Sequence, residues 1–205
     1  MASMTTGNTS RADANRRRIL DVALAELLRD PDASMDQIAR AAGVVRRTVY
    51  GHFPNREALL STLVDGAVEA VAAADEAGRK GVEDPAQALA ASTLAVWEVA
   101  DRYRILVALA QRSVTMQGIR ERLAPVRESS EALLRRGLDE GVFVSVLPVP
   151  ALAYVHEQLV FAVMEAVNDG LLAPEEAGRS AAVTVLTAAG VPASRATELV
   201  AKLSD

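Results

Sequence analysis

The chain has 205 residues and a net charge of −5; half of it is hydrophobic, only 3% is aromatic, and it holds two histidines and no cysteine. Such a length supports one large or two small domains around a substantial core, and the lack of cysteine excludes disulfides and cysteine-ligated zinc or iron–sulfur sites. Long Ala, Leu and Val runs with few turn clusters favour helix over sheet, so the expected fold is all-α.

Two histidines make a poor metal inventory, and no cofactor is expected. No apolar run reaches the roughly 18 residues of a spanning helix, and MASMTTGNTS lacks the apolar centre of a signal peptide, so a cytoplasmic location is expected. Residues 1–13 read as a disordered arm or a tag remnant and are set apart from the fold. Charge is uneven. Residues 1–60 hold nine arginines and no lysine against seven acids, a surplus of two, while the remainder carries −7. The N-terminal quarter is therefore the better partner for a polyanion.

From Arg16, the residues Ile19, Val22, Ala23 and Leu27 recur at helical spacing until Asp30-Pro31-Asp32 stops the pattern. Ser34-Met35-Asp36-Gln37 is a capping box, in which serine hydroxyl and glutamine amide satisfy each other's backbone N–H. It starts a two-turn helix that buries Met35, Ile38, Ala39 and Ala42 and ends at Gly43, a residue free to take positive φ. A third short helix runs through Tyr50, with Val45, Val49 and Phe53 spaced i, i+4, i+8 to pack inward. Asn55 then caps a long fourth helix whose stripe is Leu59, Leu63, Ala67, Ala70 and Ala74, as far as Gly78. Further helices are expected at about 85–100, 102–116 and 119–140, then at Pro150–Asn168 and Pro174–Ala189, with a short one from Pro192.

Two short helices joined by a tight glycine turn match the helix-turn-helix, whose second helix enters the major groove of DNA. With the apolar positions committed to packing, Arg46, Arg47, Thr48, Tyr50 and His52 are available for DNA by elimination. Arginine can present paired donors to guanine O6 and N7, and threonine can meet a base edge or a thymine methyl. Tyrosine and histidine more often meet phosphate oxygens. Taken singly, each has a plainer explanation: a solvated Arg-Arg pair, a tyrosine covering the core, a histidine serving a carbonyl. The ordered combination of capped helix, glycine turn, polar helix, aromatic plug and capped long helix raises the DNA reading.

Ile38-Ala39-x-x-Ala42-Gly43-Val44 and Thr48-Val49-Tyr50-x-His52-Phe53-x-x-Arg56-Glu57-x-Leu59 resemble the TetR family of bacterial transcriptional regulators, over roughly residues 14–65. The resemblance implies that Arg46, Arg47 and Thr48 read the groove, that Tyr50, His52, Arg56 and the Ser34 cap meet phosphates, and that Phe53 plugs the small core. It implies a helix-turn-helix DNA-binding domain at 14–60 and a helical ligand-binding and dimerisation domain at 61–205. The implied partners are a double-stranded operator, a second copy of the chain and a small-molecule effector. One position departs: where the family usually has a serine at the recognition-helix N-cap, this chain has Val45, which offers no acceptor to a backbone N–H.

Apolar residues lie nearly all round Pro150–Asn168, among them Leu152, Val155, Leu159, Val160, Ala162, Val163 and Val167. That is more than one core stripe requires, and it suits a core face plus a partner face. With 174–189 it is the expected dimer interface. Candidate effector-lining residues are the few large ones, Trp97, Tyr103, Met116, Phe143, Tyr154, Phe161 and Met164, each of which could equally be core. Glu157 shares a face with Tyr154 and Phe161. If buried, its carboxylate must be paired, protonated or awaiting a cation, and the last would suit a lipophilic or cationic effector.

Catalysis is not expected. The residues three before His52 and His156 are Val49 and Ala153, so no Glu-x-x-His pair exists, and His156-Glu157-x-x-Val160 lacks the second histidine of a zinc-protease helix. The reading that results is a ligand-responsive DNA-binding regulator, a repressor released from a palindromic operator by a small molecule. Its alternatives are a constitutive dimeric helix-turn-helix scaffold without a ligand, or an α-helical enzyme.

Overall fold

The computed structural model describes residues 5–110 and 116–204, with the side chains of 5–11, 105, 108–110 and 116 outside the description. Among the described residues there are ten helices and no strand. They are α1 (Thr5–Arg29), α2 (Met35–Ala41), α3 (Arg46–His52), α4 (Arg56–Arg79), α5 (Pro85–Ala110), α6 (Met116–Arg122), α7 (Ala124–Asp139), α8 (Val149–Asn168), α9 (Pro174–Ala188) and α10 (Ala193–Ser204). The chain divides into two compact units, Met1–Gly66 with Ile105–Met116 and Ala67–Arg104 with Gln117–Asp205.

Three boundaries differ from the sequence reading. α1 begins at Thr5, inside the stretch 1–13 set apart as an arm. The two helices expected at 85–100 and 102–116 are one through Ala110, because Asp101-Arg102 contains no breaker and Asp101 instead pairs with Arg104 at 2.9 Å along the helix surface. The helix expected at 119–140 is broken at Leu123, since Pro125 in the first turn of α7 has no N–H to continue α6.

In the N-terminal unit, α1, α2, α3 and the start of α4 enclose a small core of Ile19, Leu27, Ile38, Val49, Phe53 and Leu59, all fully or almost fully buried. The capping box forms as read: Gln37 N–H donates to Ser34 Oγ at 3.3 Å and Ser34 N–H to Gln37 Oε1 at 2.7 Å. At the far end of α2, Gly43 takes φ +63° while its N–H donates to Arg40 O and the Val44 N–H to Ala39 O. These paired bonds satisfy the last carbonyls of α2 and turn the chain into α3. Asn55 Oδ1 accepts the Ala58 N–H at 2.8 Å and starts α4.

The C-terminal unit packs α5, α7, α8, α9 and α10 around Leu89, Leu134, Phe143, Leu152, Leu186 and Val200. Within it the end of α4 is fastened by a buried ion pair. Arg79 Nη2 donates to Asp75 Oδ2 and Ser129 Oγ, and its Nη1 reaches Ser129 O at 3.0 Å, tying α4 to α7. Burial raises the Asp75 carboxyl above the usual carboxylate range against the pull of Arg79. One residue before Arg79, an added Cβ on Gly78 would lie 2.7 Å from the Cα of Ser92 in α5, so only glycine lets the helices approach this closely.

His156 is also buried, on the core side of α8, and neither ring nitrogen has a hydrogen-bond partner among the described residues. Burial lowers its pKa from 6.5 to about 4. On acidification the unfolded chain takes up this proton first, so the stability contribution is complete above pH 6.5 and is lost as pH falls towards 4. Urea unfolding should show a loss of roughly 2 kcal/mol between pH 7 and pH 5 from this group. The His156→Leu protein should lose markedly less over the same range; an unchanged pH dependence would show that His156 is solvated or paired in solution.

Candidate functional site

The glycine turn leaves one face of α3 outside the N-terminal core. Val49 and Phe53 are buried as the i, i+4 spacing predicts, but Val45 is 69% exposed. The reason is its place as N-cap: with φ −74° and ψ 149° it has extended backbone, so its side chain leaves the helical face on which the spacing argument rests. It makes no capping bond, as expected for valine. The Thr48 N–H donates to Val45 O at 2.8 Å, which leaves the preceding amides of the first turn open towards the exterior.

Arg46 and Arg47, adjacent in sequence, stand in different surroundings. Arg46 Nη1 lies 2.9 Å from Asp36 Oδ2 across the turn, its Nη2 donates to Tyr50 Oη at 3.3 Å, and its guanidinium sits 5.0 Å above the Tyr50 ring. Arg47 is exposed and has no ion pair among the described residues. Exposed pairs such as Arg46–Asp36 are worth about 0–1 kcal/mol, so a phosphate or guanine can displace the carboxylate at small cost. Asp36 was not foreseen from the sequence, because a partner ten residues away across a turn leaves no periodic signal.

Thr48 and His52 are half-buried on the same helix, with the His52 ring tilted against Phe53 at 6.2 Å between centroids. The Ser34 hydroxyl is engaged with Gln37, donating to its Oε1 at 2.7 Å. Arg56 is held more firmly than a surface phosphate contact would be. Its Nη2 donates to Pro31 O at 2.6 Å and its Nε reaches Ala33 O at 3.5 Å, bracing the α1–α2 loop against the first turn of α4.

The residues read as effector lining differ in their surroundings. Trp97 is buried close to Gly178, where an added Cβ would lie 2.7 Å from its ring; Phe143 fills the space over Gly137; Met164 is buried. Tyr103 and Phe161 are half-buried, and the Met116 side chain lies outside the described residues. Tyr154 is exposed, with the Arg120 guanidinium 4.5 Å from its ring centre. The Glu157 side chain is 12% exposed and paired: Arg127 Nη2 and Nε reach Oε2 at 2.6 and 2.9 Å, and Arg120 Nε lies 3.5 Å from Oε1. Of the three fates open to a buried Glu157, pairing is the one observed. A groove of about 510 Å³ in the C-terminal unit is lined by Glu76 and Arg79 at the end of α4, by Lys80, Val82 and Ala88, and by Ser129, Leu133 and Arg136 of α7. Among the described residues no cluster of His, Asp or Glu could hold a metal, and no helix is long and apolar enough to cross a membrane.

Residues 19–63 match the family model for bacterial regulatory proteins of the tetR family. The HTH-type transcriptional regulator EthR of Mycobacterium tuberculosis is 40% identical over 82 residues, which is 38% of this chain and 37% of EthR. The chain thus matches well under half the length of these curated relatives. Two solved structures share the fold over most of the chain. The TetR-like regulator LfrR of Mycobacterium smegmatis, in complex with proflavine, has a TM-score of 0.67 at 23% identity, covering 86% of this chain and 96% of LfrR. The fatty acid degradation regulator FadR of Bacillus halodurans has a TM-score of 0.72 at 19% identity, covering 84% and 94%.

The two environments of Arg47 and Arg56 separate in a stability measurement that involves no DNA. Arg56→Ala removes charge-assisted bonds to two loop carbonyls and should lower unfolding free energy by about 1.5–3 kcal/mol, whereas Arg47→Ala should stay within about 0.5 kcal/mol of the parent. Equal, negligible effects in urea melts would return Arg56 to the surface.

Proposed function

We propose, from the match of residues 19–63 to the family model of bacterial regulatory proteins of the tetR family, that the chain is a ligand-responsive transcriptional regulator acting as a homodimeric repressor on a palindromic operator. The observation that carries the reading is the α2–Gly43–α3 unit, which buries Val49 and Phe53 and leaves Arg46, Arg47 and Tyr50 facing outward. In this proposal α3 lies in the major groove. Arg47 and Thr48 read base edges, Arg46 joins them after leaving Asp36, and Tyr50, His52 and the Ser34 end of α2 approach phosphates. Arg56 contributes mainly by holding the unit together, with its remaining donors directed to the backbone of DNA.

The partner is a second copy through the helices near 150–168 and 174–189. On α8, Val155, Leu159, Val160, Phe161 and Val163 remain half-buried and Ala162 exposed in the single chain, which supports a second apolar face. Two recognition helices one helical turn apart, about 34–36 Å, then match a palindrome.

The proposed effector is a small molecule, lipophilic or cationic. The carboxylate that favoured a cation is already occupied by two arginines, so a cationic effector would have to displace one of them. LfrR is described with proflavine, which supports a small molecule as the type of ligand. The groove beside Arg79 has a volume within the usual range for such ligands, roughly 300–1,000 Å³. Its wall is the end of α4, whose first turn follows α3, so displacement of α4 is the proposed route from ligand to DNA.

Selection of bound sequences from random DNA, repeated with candidate ligands, tests the reading. A palindromic motif should emerge, and Arg47→Ala should relax preference at one base pair per half-site at a cost of about 1–3 kcal/mol. An effector should weaken operator binding about 5- to 150-fold, and the operator should weaken effector binding by the same factor. Enrichment of a motif that no ligand perturbs would leave a constitutive scaffold; no enrichment would remove the regulator reading.

A further inference from the structure

Within the N-terminal unit, the described large hydrophobic side chains left exposed are Val45 at 69% and Tyr50 at 36%. Both belong to the recognition helix or its cap. Tyr50 has an evident occupation, since its ring underlies the Arg46 guanidinium and its hydroxyl accepts from it. Val45 has none: it makes no capping bond, and most of its surface is free of the core.

That position is costly for valine. Serine, threonine, asparagine or aspartate there would stabilise the helix, and the neighbouring α2 uses Ser34 in that way. Valine gives up the cap and also places an isopropyl group in water at the leading end of a helix whose N-terminal residues meet base edges. An apolar partner outside the chain would offset that cost. The major groove offers one such group on its base edges, the C5-methyl of thymine.

We propose that Val45 reads a thymine methyl, next to the base pair read by Arg47. The proposal rests on the DNA-binding function above and adds a specificity to it: each half-site contains a thymine whose methyl group, and not its hydrogen-bonding edge, is recognised. A surface apolar residue with no structural occupation thereby becomes a sensor for a base-edge feature that arginine donors do not register.

Uracil lacks only this methyl, which makes the test chemical. In the full-length protein bound to the selected operator, each thymine is replaced in turn by deoxyuridine and affinity is measured by fluorescence anisotropy. One position per half-site should weaken binding about 3- to 5-fold per methyl lost, the scale expected for burying a single methyl group. With Val45→Ser, the uracil-to-thymine ratio at that position should fall to one, while Val45→Ile should keep it. Because the readout is a ratio within each variant, any gain in helix stability from the new serine cap cancels. Uracil tolerated at every thymine, or a penalty that persists unchanged in Val45→Ser, would overturn the proposal while leaving the regulator function intact. Failure of the selection to return any motif would overturn both.

Discussion

A single backbone conformation governs the surface of the N-terminal unit. At Gly43 the chain adopts φ +63°, and the Gly43 and Val44 amides close the end of α2 by bonding back to Arg40 and Ala39. A side chain at that residue would meet no neighbour, so the demand for glycine is one of conformation and not of space. The turn decides which side of α3 meets α2. It thereby decides that Val49 and Phe53 are core and that Arg46, Arg47 and Tyr50 are surface. Capping by Ser34 and Asn55 and the Arg56 bonds to the α1–α2 loop hold the same small unit from its other ends.

The C-terminal unit relies on a different device, a buried ion pair placed between tightly packed helices. Removing two charges from water is unfavourable unless each is fully bonded, and Arg79 meets that condition with Asp75 and Ser129 while Gly78 allows α5 to come close. Such a contact accommodates few alternative positions of α4. The clamped end of α4 borders the groove lined by Glu76, Arg79 and Arg136. The buried Glu157 with Arg120 and Arg127 uses the same physics in α6, α7 and α8.

Local chemistry was legible in the sequence, and long-range partners were not. The capping box, the glycine turn, the Asn55 cap and the burial of Val49 and Phe53 each depend on residues within four positions of one another, and each is present as read. Val45 was read as inward-facing because helical periodicity was extended one residue too far, onto an N-cap whose backbone is not helical. Pro125, a single proline in an otherwise helical pattern, separates α6 from α7. The pairs Arg46–Asp36, Arg56–Pro31 and Glu157–Arg127 join residues separated by 10, 25 and 30 positions, and no pattern in one sequence announces them. Those pairs change the site most: one arginine is latched, one is a brace, and the carboxylate that suggested a cationic ligand already has its cations.

In the proposed complex α3 enters the major groove and reads it with arginine. Guanine N7 lies on that groove edge and is methylated by dimethyl sulfate, so methylation protection on the selected operator reports the contact directly. The account requires protected guanines in two half-sites about 10–10.5 base pairs apart, with the protection at one guanine per half-site lost in Arg47→Ala. Binding of normal affinity with every guanine N7 left reactive, or with protection unaffected by Arg47→Ala, would contradict it.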